Sequence, residues 1–431
     1  NLVIKNTRAI VLEPPGITDC DIRIVDGEIE KVARSIRPAR GEETVDLSGK
    51  IVVPGFVNAH THLYSALSRG MPGPKEPPAN FPEILRKIWW KLDEALDEES
   101  IYGSALAGAI EALKFGTTTL VDHHASPNHI HNSLDIIKDA ISRVGIRGVL
   151  CYETTDRGGL KRRDQGLEEN ERFITENTNN THFRGAMGAH ACLTLGDDSL
   201  KKLGEVAETY DCGVHIHVAE DRADVVNSLK RYRIGVVDRL AKFGILRKKS
   251  IFAHGVHLNG SDIAKIRKSG TWMVHNPRSN MNNRVGYAPL ASFGKRTALG
   301  TDGFPSDMFE EARLGYFRNV ESGQRRTLRG LVPLIQNGHA LVSEFFGRPF
   351  GAMEEGNAAD LVVLDYEPPT PLHQKNIHGH FLFGMNSSHV QHVMVDGNWL
   401  VWDRRVVGID EQKVMAEAAK VAAKLWKRMN A

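Results

Sequence analysis

The sequence lacks the features expected of a membrane-bound, secreted or nucleic-acid-binding protein. No run approaches the roughly 18 consecutive apolar residues that a membrane-spanning helix needs, and residues 1–5 do not resemble a secretory signal. Lys and Arg total 55 against 53 Asp and Glu, with no long basic run. We therefore expect a cytoplasmic protein with a small-molecule ligand and with neither nucleic acid nor membrane as a partner.

Cysteine is also scarce. The four cysteines, Cys20, Cys151, Cys192 and Cys212, form no C-x-x-C motif, which argues against a disulfide framework or a zinc ribbon. A glycine-rich G-x-G-x-x-G motif is missing after the first strand of the central region, which weakens a dinucleotide-binding interpretation. Histidine, by contrast, occurs 19 times.

The two chain ends share a pattern of short strands with Asp-Gly turns at residues 26–27 and 396–397. Neither end has enough strands to cover its own apolar face. We therefore predict one composite β-sandwich domain built from residues 1–54 and 356–408. Residues 409–431 include a stretch rich in Ala, Lys and Glu at 411–429, which predicts a helix packed on the outside.

Between these ends, residues 55–355 alternate apolar strands with amphipathic helices, which indicates the α/β class. The eight predicted strands cover residues 51–58, 117–122, 147–152, 183–189, 213–218, 250–254, 271–275 and 297–301. Eight βα units predict a closed (β/α)₈ barrel of the TIM type. An open doubly wound sheet is the alternative.

Histidines gather at the predicted strand ends. Four His-x-His pairs occur where composition predicts fewer than one. The pairs at 129/131 and 378/380 lie outside the strand ends and are expected on the surface or in loops. Alternate residues of a strand share a face, so His60 and His62 of strand 1 can contact one ion.

A divalent metal with three imidazoles and one carboxylate needs ligands that converge from different strands. His60, His62, His217 and Asp302 close strands 1, 5 and 8 and meet that requirement. Each alone is more typical of a buried histidine or a helix-capping aspartate. Their coincidence at one end of a barrel favours a metal site.

Two further side chains lie where catalysis would need them. Glu220 follows His217 by three residues and can reach an activated water as a general acid or base. His254 ends strand 6 and can stabilise an oxyanion. His215 also points inward but one step deeper, so we expect it in the core.

The residues at these strand ends resemble the amidohydrolase superfamily over essentially the whole chain. Within it, the chain is similar to the branch of nitrogen-heterocycle deaminases and chlorohydrolases related to cytosine, guanine and S-adenosylhomocysteine deaminases. The matching stretches are residues 53–62 (VPGFVNAHTH), 217–220 (HVAE), 253–258 (AHGVHL), 275–280 (HNPRSN), 299–303 (LGTDG) and 359–365 (ADLVVLD).

This resemblance implies one metal ion bound by His60, His62, His217 and Asp302. Zinc is the first choice and iron the alternative, since both accept this ligand set. Relatives with two metals use a lysine that ends strand 4, and residues 184–190 contain none. A carboxylate such as Glu153 could bridge two metals instead. Similar proteins often form dimers, which leaves a homodimer open.

The reaction implied is hydrolytic deamination of an amino-substituted nitrogen heterocycle. A bound metal lowers the pKa of water from about 16 towards 7. Glu220 passes a proton to a ring nitrogen, His254 stabilises the tetrahedral adduct, and Asp302 takes the second proton and helps deliver it to departing ammonia. Ring-amide opening or hydrolytic dechlorination at the same site is the rival reaction. A non-catalytic scaffold is the third reading, disfavoured because all four ligands are present.

The resemblance implies that His190 faces the substrate. His124 after strand 2 and Arg157 after strand 3 stand in loops that surround the site, where Arg157 could bind a substrate carboxylate or phosphate. Trp89 falls on the apolar stripe of the helix after strand 1 and is expected in the core. Trp90 lies off that stripe, so it is expected to stack on a substrate ring or to lie in an oligomer interface.

Overall fold

The computed structural model describes residues 1–324 and 328–430, with strands and helices distributed along the whole length. The strands are β1 (Leu2–Leu12), β2 (Pro15–Val25), β3 (Glu28–Ala33), β4 (Glu43–Asp46), β5 (Ile51–Pro54), β6 (Phe56–Thr61), β7 (Thr117–His124), β8 (Arg147–Tyr152), β9 (Phe183–Gly185), β10 (Met187–Ala191), β11 (Val214–Val218), β12 (Ile251–His254), β13 (Trp272–His275), β14 (Thr297–Leu299), β15 (Leu361–Leu364), β16 (Val390–Val395), β17 (Asn398–Trp402) and β18 (Arg405–Val406).

The helices fall mainly between the central strands. They are α1 (Phe81–Ile84), α2 (Trp90–Ala95), α3 (Glu98–Lys114), α4 (Ser133–Ser142), α5 (Leu160–Glu176), α6 (Asp197–Thr209), α7 (Arg222–Tyr232), α8 (Val236–Lys242), α9 (Gly260–Ser269), α10 (Pro277–Asn282), α11 (Met308–Glu321), α12 (Leu328–Leu331), α13 (Pro333–Phe346), α14 (Ile377–Gly379) and α15 (Glu411–Met429). A π-helical stretch, Leu85–Trp89, joins α1 to α2. None of the described helices combines the length and apolarity needed to cross a bilayer.

The central strands are parallel and form a closed barrel. One series runs β6-β7-β8-β9 and the other runs β10-β11-β12-β13-β14. A bridge between Thr154 and Ala189 links the two series on one side. On the other side the backbone N–H groups of Thr301 and Asp302 both donate to His60 O, at 2.9 and 3.0 Å. Because β9 and β10 are successive parts of one strand, the prediction of eight barrel strands is confirmed.

The first predicted strand, residues 51–58, is two strands in the structure. β5 pairs with β15 and β1 of the sheet built from the chain ends, whereas β6 pairs with β7 of the barrel. The division falls at Gly55, where a Cβ atom would lie 2.3 Å from Thr118 Cγ2. Apolar sequence alone could not reveal this change of partner.

Both chain ends contribute to one nine-stranded sheet in the order β18-β17-β16-β15-β5-β1-β2-β3, with β4 beside β1. The meeting of the ends predicted from their strand number is therefore present. Its core consists of alternate apolar residues from both ends, such as Ile22 and Val363. The exact domain limits at residues 54, 356 and 408 stay predictions.

The predicted C-terminal helix is α15, with the same limits as predicted. Its buried residues, Val414, Ala418, Val421 and Leu425, recur at helical spacing. Trp426 Nε1 donates to Leu67 O at 2.7 Å, which fixes the helix against the segment that follows β6. The four cysteines are free and buried.

Candidate active site

Three imidazoles converge at the carboxyl ends of the barrel strands. His60 and His62 come from the end of β6 and His217 from β11. His62 Nε2 and His217 Nε2 lie 3.2 Å apart. Two nitrogens bound to one tetrahedral zinc at 2.0–2.1 Å would be separated by about 3.3 Å, so this spacing fits a shared ion.

Asp302, which follows β14, completes the group. Its Oδ1 lies 2.8 Å from His62 Nε2 and 3.3 Å from His60 Nε2. His60 Nε2 is buried and has no hydrogen-bond partner among the described residues. A buried nitrogen without a partner is costly unless something binds it, so the ligand set predicted from the sequence fits a divalent metal.

Nδ1, the second ring nitrogen of each imidazole, contacts a neighbouring group on the side away from the common centre. His62 Nδ1 donates to His123 O at 2.6 Å, and His217 Nδ1 donates to His190 O at 2.8 Å. His60 Nδ1 lies 2.7 Å from His215 Nε2. These contacts engage each Nδ1 and leave each Nε2 facing the common centre, the orientation that metal ligation by histidine requires.

Burial and Asp302 act in opposite directions on these histidines. Burial lowers the pKa of His60 well below its usual value, in spite of the contact with Asp302. Burial alone would also lower the pKa of His62, but its hydrogen bond to Asp302 raises that pKa to about 9. Burial alone would raise the pKa of Asp302, but its close contacts with these two histidines hold that pKa well below its usual value. Asp302 is therefore a carboxylate, as a metal ligand must be.

Glu220 and His254 face each other beside this group, with Glu220 Oε2 3.6 Å from His254 Nε2. Burial raises the pKa of Glu220 to about 7, against the lowering effect of His254. Asn280 Oδ1 accepts from His254 Nδ1 at 2.8 Å, and Asn283 Nδ2 donates to Glu220 Oε1 at 3.4 Å. A carboxyl group that titrates near neutral pH suits proton transfer.

His254 also has a ring nitrogen close to the candidate metal ligands. One ligand atom each from His60, His217, His254 and Asp302 lie within 4.8 Å of one another. A second such cluster contains Glu153, His190 and His217. The distances between these ligand atoms therefore locate the candidate metal centre. They do not decide whether His254 and Glu153 bind the metal or act in catalysis, so their roles stay predictions.

The backbone is unusual at three of these strand ends. Ala219, His254 and Asp302 all have positive φ, at 47°, 72° and 54°. This conformation is strained for residues other than glycine and is typical of functional sites. The turn at Ala219 breaks the alternation of β11, so that Glu220 lines the same cavity as His217.

A cavity opens beside the cluster. It is lined by His62, Tyr64, Phe81, Leu85, Trp89, Trp90, Asp93, Glu153, His190, His217, Glu220, Asn283, Asp302 and Gly303. His190 and Trp90 are among these lining residues, and their contact with a substrate stays a prediction. Trp89, expected in the core, lies on the cavity wall as well.

Two predicted substrate contacts lie elsewhere. His124 is buried behind Tyr64, with its Nε2 2.8 Å from Ser126 Oγ, and is not among the lining residues. Arg157 lies behind Asp93 and Glu153 rather than on the wall. Loop position after a strand was the only basis for both predictions, and it does not determine which way a side chain points.

Sequence reasoning missed several residues of the site. Asp93 follows Trp89 and Trp90 by four and three residues, so helical spacing could have placed it on their face. Tyr64 follows His62 by two residues, the spacing at which side chains of an extended strand share a face, so it too could have been expected beside the site. Ser279, whose hydroxyl donates to Asp302 Oδ2, lies in the stretch 275–280 that carries the family resemblance, which was the signal that could have found it. The histidines at 378 and 380 were expected on the surface or in loops. They are buried in short helical segments, where their rings bond Leu12 O and the Tyr366 hydroxyl, so that prediction was wrong.

An eight-stranded barrel with convergent imidazoles and a carboxylate at its mouth defines a metal-dependent hydrolase of the barrel type. The chain belongs to the amidohydrolase family, which it matches over residues 51–400. It is 28% identical to the 5'-deoxyadenosine deaminase of Methanosarcina mazei, over 100% of this chain and 99% of that protein. It is 30% identical to the 5-methylthioadenosine/S-adenosylhomocysteine deaminase of Desulforudis audaxviator, over 89% of each.

Solved structures share the fold. A zinc-bound adenosine deaminase from Xanthomonas campestris superimposes with a TM-score of 0.87 at 22% identity, covering 99% of this chain and 98% of that one. The zinc complex of an atrazine chlorohydrolase from Arthrobacter aurescens superimposes with a TM-score of 0.83 at 21% identity, covering 98% and 100%. These likenesses confirm the predicted barrel with its smaller β domain.

Proposed function

We propose that the protein is a metal-dependent aminohydrolase that releases ammonia from an amino-substituted nitrogen heterocycle. The observation that carries this proposal is the convergence of three imidazole Nε2 atoms and the Asp302 carboxylate beside Glu220. The names of the relatives favour adenine nucleosides as the first substrates to try.

His60, His62, His217 and Asp302 would hold one divalent metal, zinc in the first instance and iron as the alternative. A metal bound there makes water acidic enough to supply hydroxide near neutral pH. The protein holds these side chains ready for a metal: the lowered pKa of Asp302 keeps it ionised, and the three imidazole rings are oriented with Nε2 towards one centre.

Glu220 would take a proton at one carboxyl oxygen and deliver it to a ring nitrogen of the substrate. Its pKa of about 7 lets it both accept and release that proton. His254, whose Nδ1 donates to Asn280, presents Nε2 towards the same space. With a proton on Nε2 as well, it would donate to the oxygen of the adduct and stabilise it. Asp302 Oδ2, which accepts from Ser279, would receive the second proton for the leaving ammonia.

The direct test is ammonia release by the zinc-loaded protein from purines, adenine nucleosides, pyrimidines, pterins and triazines, compared with Glu220→Gln. We expect Glu220→Gln to keep its metal, measured by elemental analysis, and to lose at least about 100-fold in rate, because proton transfer is removed. Glu208→Gln, on the exposed surface of α6, is the matched control and should keep full activity. A Glu220→Gln protein with an unchanged rate contradicts the assignment.

The same screen separates the rival reaction. Release of chloride from a chlorotriazine or of a ring-opened acid, without ammonia from any amine, would favour hydrolytic dechlorination or ring-amide opening. A protein that binds metal and releases nothing would favour the non-catalytic scaffold. A cytoplasmic location, a homodimer and the absence of nucleic-acid binding stay predictions from the sequence.

A further inference from the structure

The cavity wall beyond the metal cluster carries carboxylates and no cation. Asp93 and Glu153 both line the cavity, and neither Lys nor Arg occurs among its described lining residues. Both carboxylates are buried, with residue exposures of 2% and 4%. A substrate bound at the metal centre would therefore meet acidic groups along this wall.

Arg157 lies behind these carboxylates and pairs with both of them through Nη2, while its buried Nε has no hydrogen-bond partner among the described residues. Its Nη2 donates to Asp93 Oδ2 at 3.0 Å and to Glu153 Oε1 at 3.1 Å. The Trp90 ring lies 4.7 Å from the guanidinium carbon and itself lines the cavity. Trp90 and the two carboxylates therefore stand between the cavity and the positive charge.

Asp93 has an acceptor that the protein does not use. Oδ1 is buried and makes no hydrogen bond to any described residue. Burial raises the pKa of Asp93, against the lowering effects of Arg157, of His62 and of a hydrogen bond from the Tyr64 hydroxyl to this carboxyl group. An unused buried acceptor on a cavity wall is satisfied most directly by a donor on the ligand.

We propose that the acidic wall, defined as Asp93 and Glu153 with Arg157 behind them, selects substrates whose portion away from the reacting ring is uncharged or cationic. The wall rejects a carboxylate or phosphate in that position. This inference rests on the proposed function and names the substrate class of that site.

The reason is the charge balance of the three groups. Two carboxylates share one guanidinium, so the wall is negative, or neutral when one carboxyl group is protonated. An anionic substrate group would be buried against a carboxylate without a free cation, and such like-charge contacts are strongly unfavourable. A hydroxyl or ammonium group instead donates to Asp93 Oδ1.

Three adenine nucleosides that differ only at the 5' position provide the test. They are 5'-deoxyadenosine, 5'-amino-5'-deoxyadenosine and adenosine-5'-carboxylic acid, which are uncharged, cationic and anionic there. We expect the zinc-loaded protein to favour the first two over the third by about 100-fold or more in kcat/KM. Calorimetric binding to zinc-loaded Glu220→Gln should show the same order without turnover.

Substitutions in the wall should change this preference. Asp93→Asn or Glu153→Gln should reduce the 100-fold preference to about 10-fold or less, because each removes one carboxylate. The double variant leaves Arg157 unpaired and should bind the carboxylic acid most tightly of the three. Glu94→Gln, next to Asp93 but paired with Arg162 outside the cavity, is the matched control and should leave the preference unchanged.

The possible results separate the two proposals. Ammonia release with equal use of all three nucleosides, or a preference that survives the double variant, overturns the acidic wall alone. Charge-selective binding without ammonia release from any compound overturns the proposed function and supports the wall. If none of the three nucleosides binds, the acidic wall as a selector of substrates is overturned, and the proposed function is decided by the wider screen of heterocycles.

Discussion

His60 depends on a side chain that sequence analysis assigned simply to the core. Its Nδ1 lies 2.7 Å from His215 Nε2, and His215 Nδ1 lies 3.7 Å from Cys151 Sγ. If His60 Nε2 binds metal, His60 Nδ1 carries the ring proton and donates a hydrogen bond to His215 Nε2. His215 then carries its own proton on Nδ1, which faces Cys151. This chain of contacts fixes the tautomer and orientation of a metal ligand, so His215 is a positioning residue.

Replacing His215 should therefore weaken metal binding. We expect His215→Phe to raise the zinc dissociation constant by about 10- to 100-fold, the usual effect of removing a partner behind a metal ligand. Competition with a chromophoric chelator measures this constant directly.

His215→Asn is the matched variant because its amide oxygen can still accept a hydrogen bond. It should recover part of the lost affinity, and the visible spectrum of the cobalt-substituted protein should return towards that of the unmodified protein. Equal zinc affinity for His215→Phe and the unmodified protein would show that His60 needs no such support.

At the scale of elements, the turn after β11 positions Glu220. Asp224, in the first turn of α7, accepts a hydrogen bond from Ala219 N at 2.9 Å. Burial raises the pKa of Asp224 to about 6, against the lowering effect of that hydrogen bond. The same carboxyl group thus holds the left-handed turn, and its ionisation destabilises the folded state.

This raised pKa predicts a pH dependence of stability. In the unfolded chain an aspartate has a pKa near 3.9, so the folded state binds the proton more tightly. The stabilising contribution is complete below about pH 4 and is lost as the pH rises through 6. Relative to Asp224→Asn, the unmodified protein should lose about 2 kcal/mol of unfolding free energy between pH 4 and 7.

Urea denaturation of both proteins across that range measures the difference. A difference that stays constant from pH 4 to pH 7 contradicts the raised pKa. The asparagine keeps an acceptor for Ala219 N, so it isolates the effect of charge from the effect of the hydrogen bond.

The elements that sequence predicts best are those whose burial is nearly uniform. β7, β8 and β11 are buried at every residue, and their apolar runs gave their limits to within two residues. The candidate metal ligands could be proposed for the same reason, because histidines that interrupt such runs stand out, and their role as ligands stays a prediction. The cavity wall was harder, since the helix containing Asp93 depends on how the segment after β6 folds back over the barrel mouth.

At the scale of the whole molecule, a buried ion cluster joins the barrel to the sheet of the chain ends. Arg147 begins β8 at the end of the barrel opposite the site and is fully buried. It contacts Asp360, just before β15, and its Nη2 lies 2.6 Å from Asp396 Oδ1 in the turn after β16. Asp360 Oδ1 in turn accepts from Asp396 N at 2.9 Å. Two distant parts of the chain are therefore held by one guanidinium.

Removing that guanidinium should destabilise the fold without altering the chemistry. Arg147→Met leaves the buried Asp360 carboxylate without its cation, while Asp396 keeps its contact with Arg348. We expect this to lower the unfolding free energy by about 3–5 kcal/mol, measured by chemical denaturation. Arg8→Met breaks the exposed pair with Asp19 and should change it by no more than about 1 kcal/mol. Because Arg147 lies at the far end of the barrel, folded Arg147→Met should keep the zinc affinity and kcat of the unmodified protein. A variant that loses zinc affinity while keeping its stability would mean that this cluster shapes the site rather than the fold.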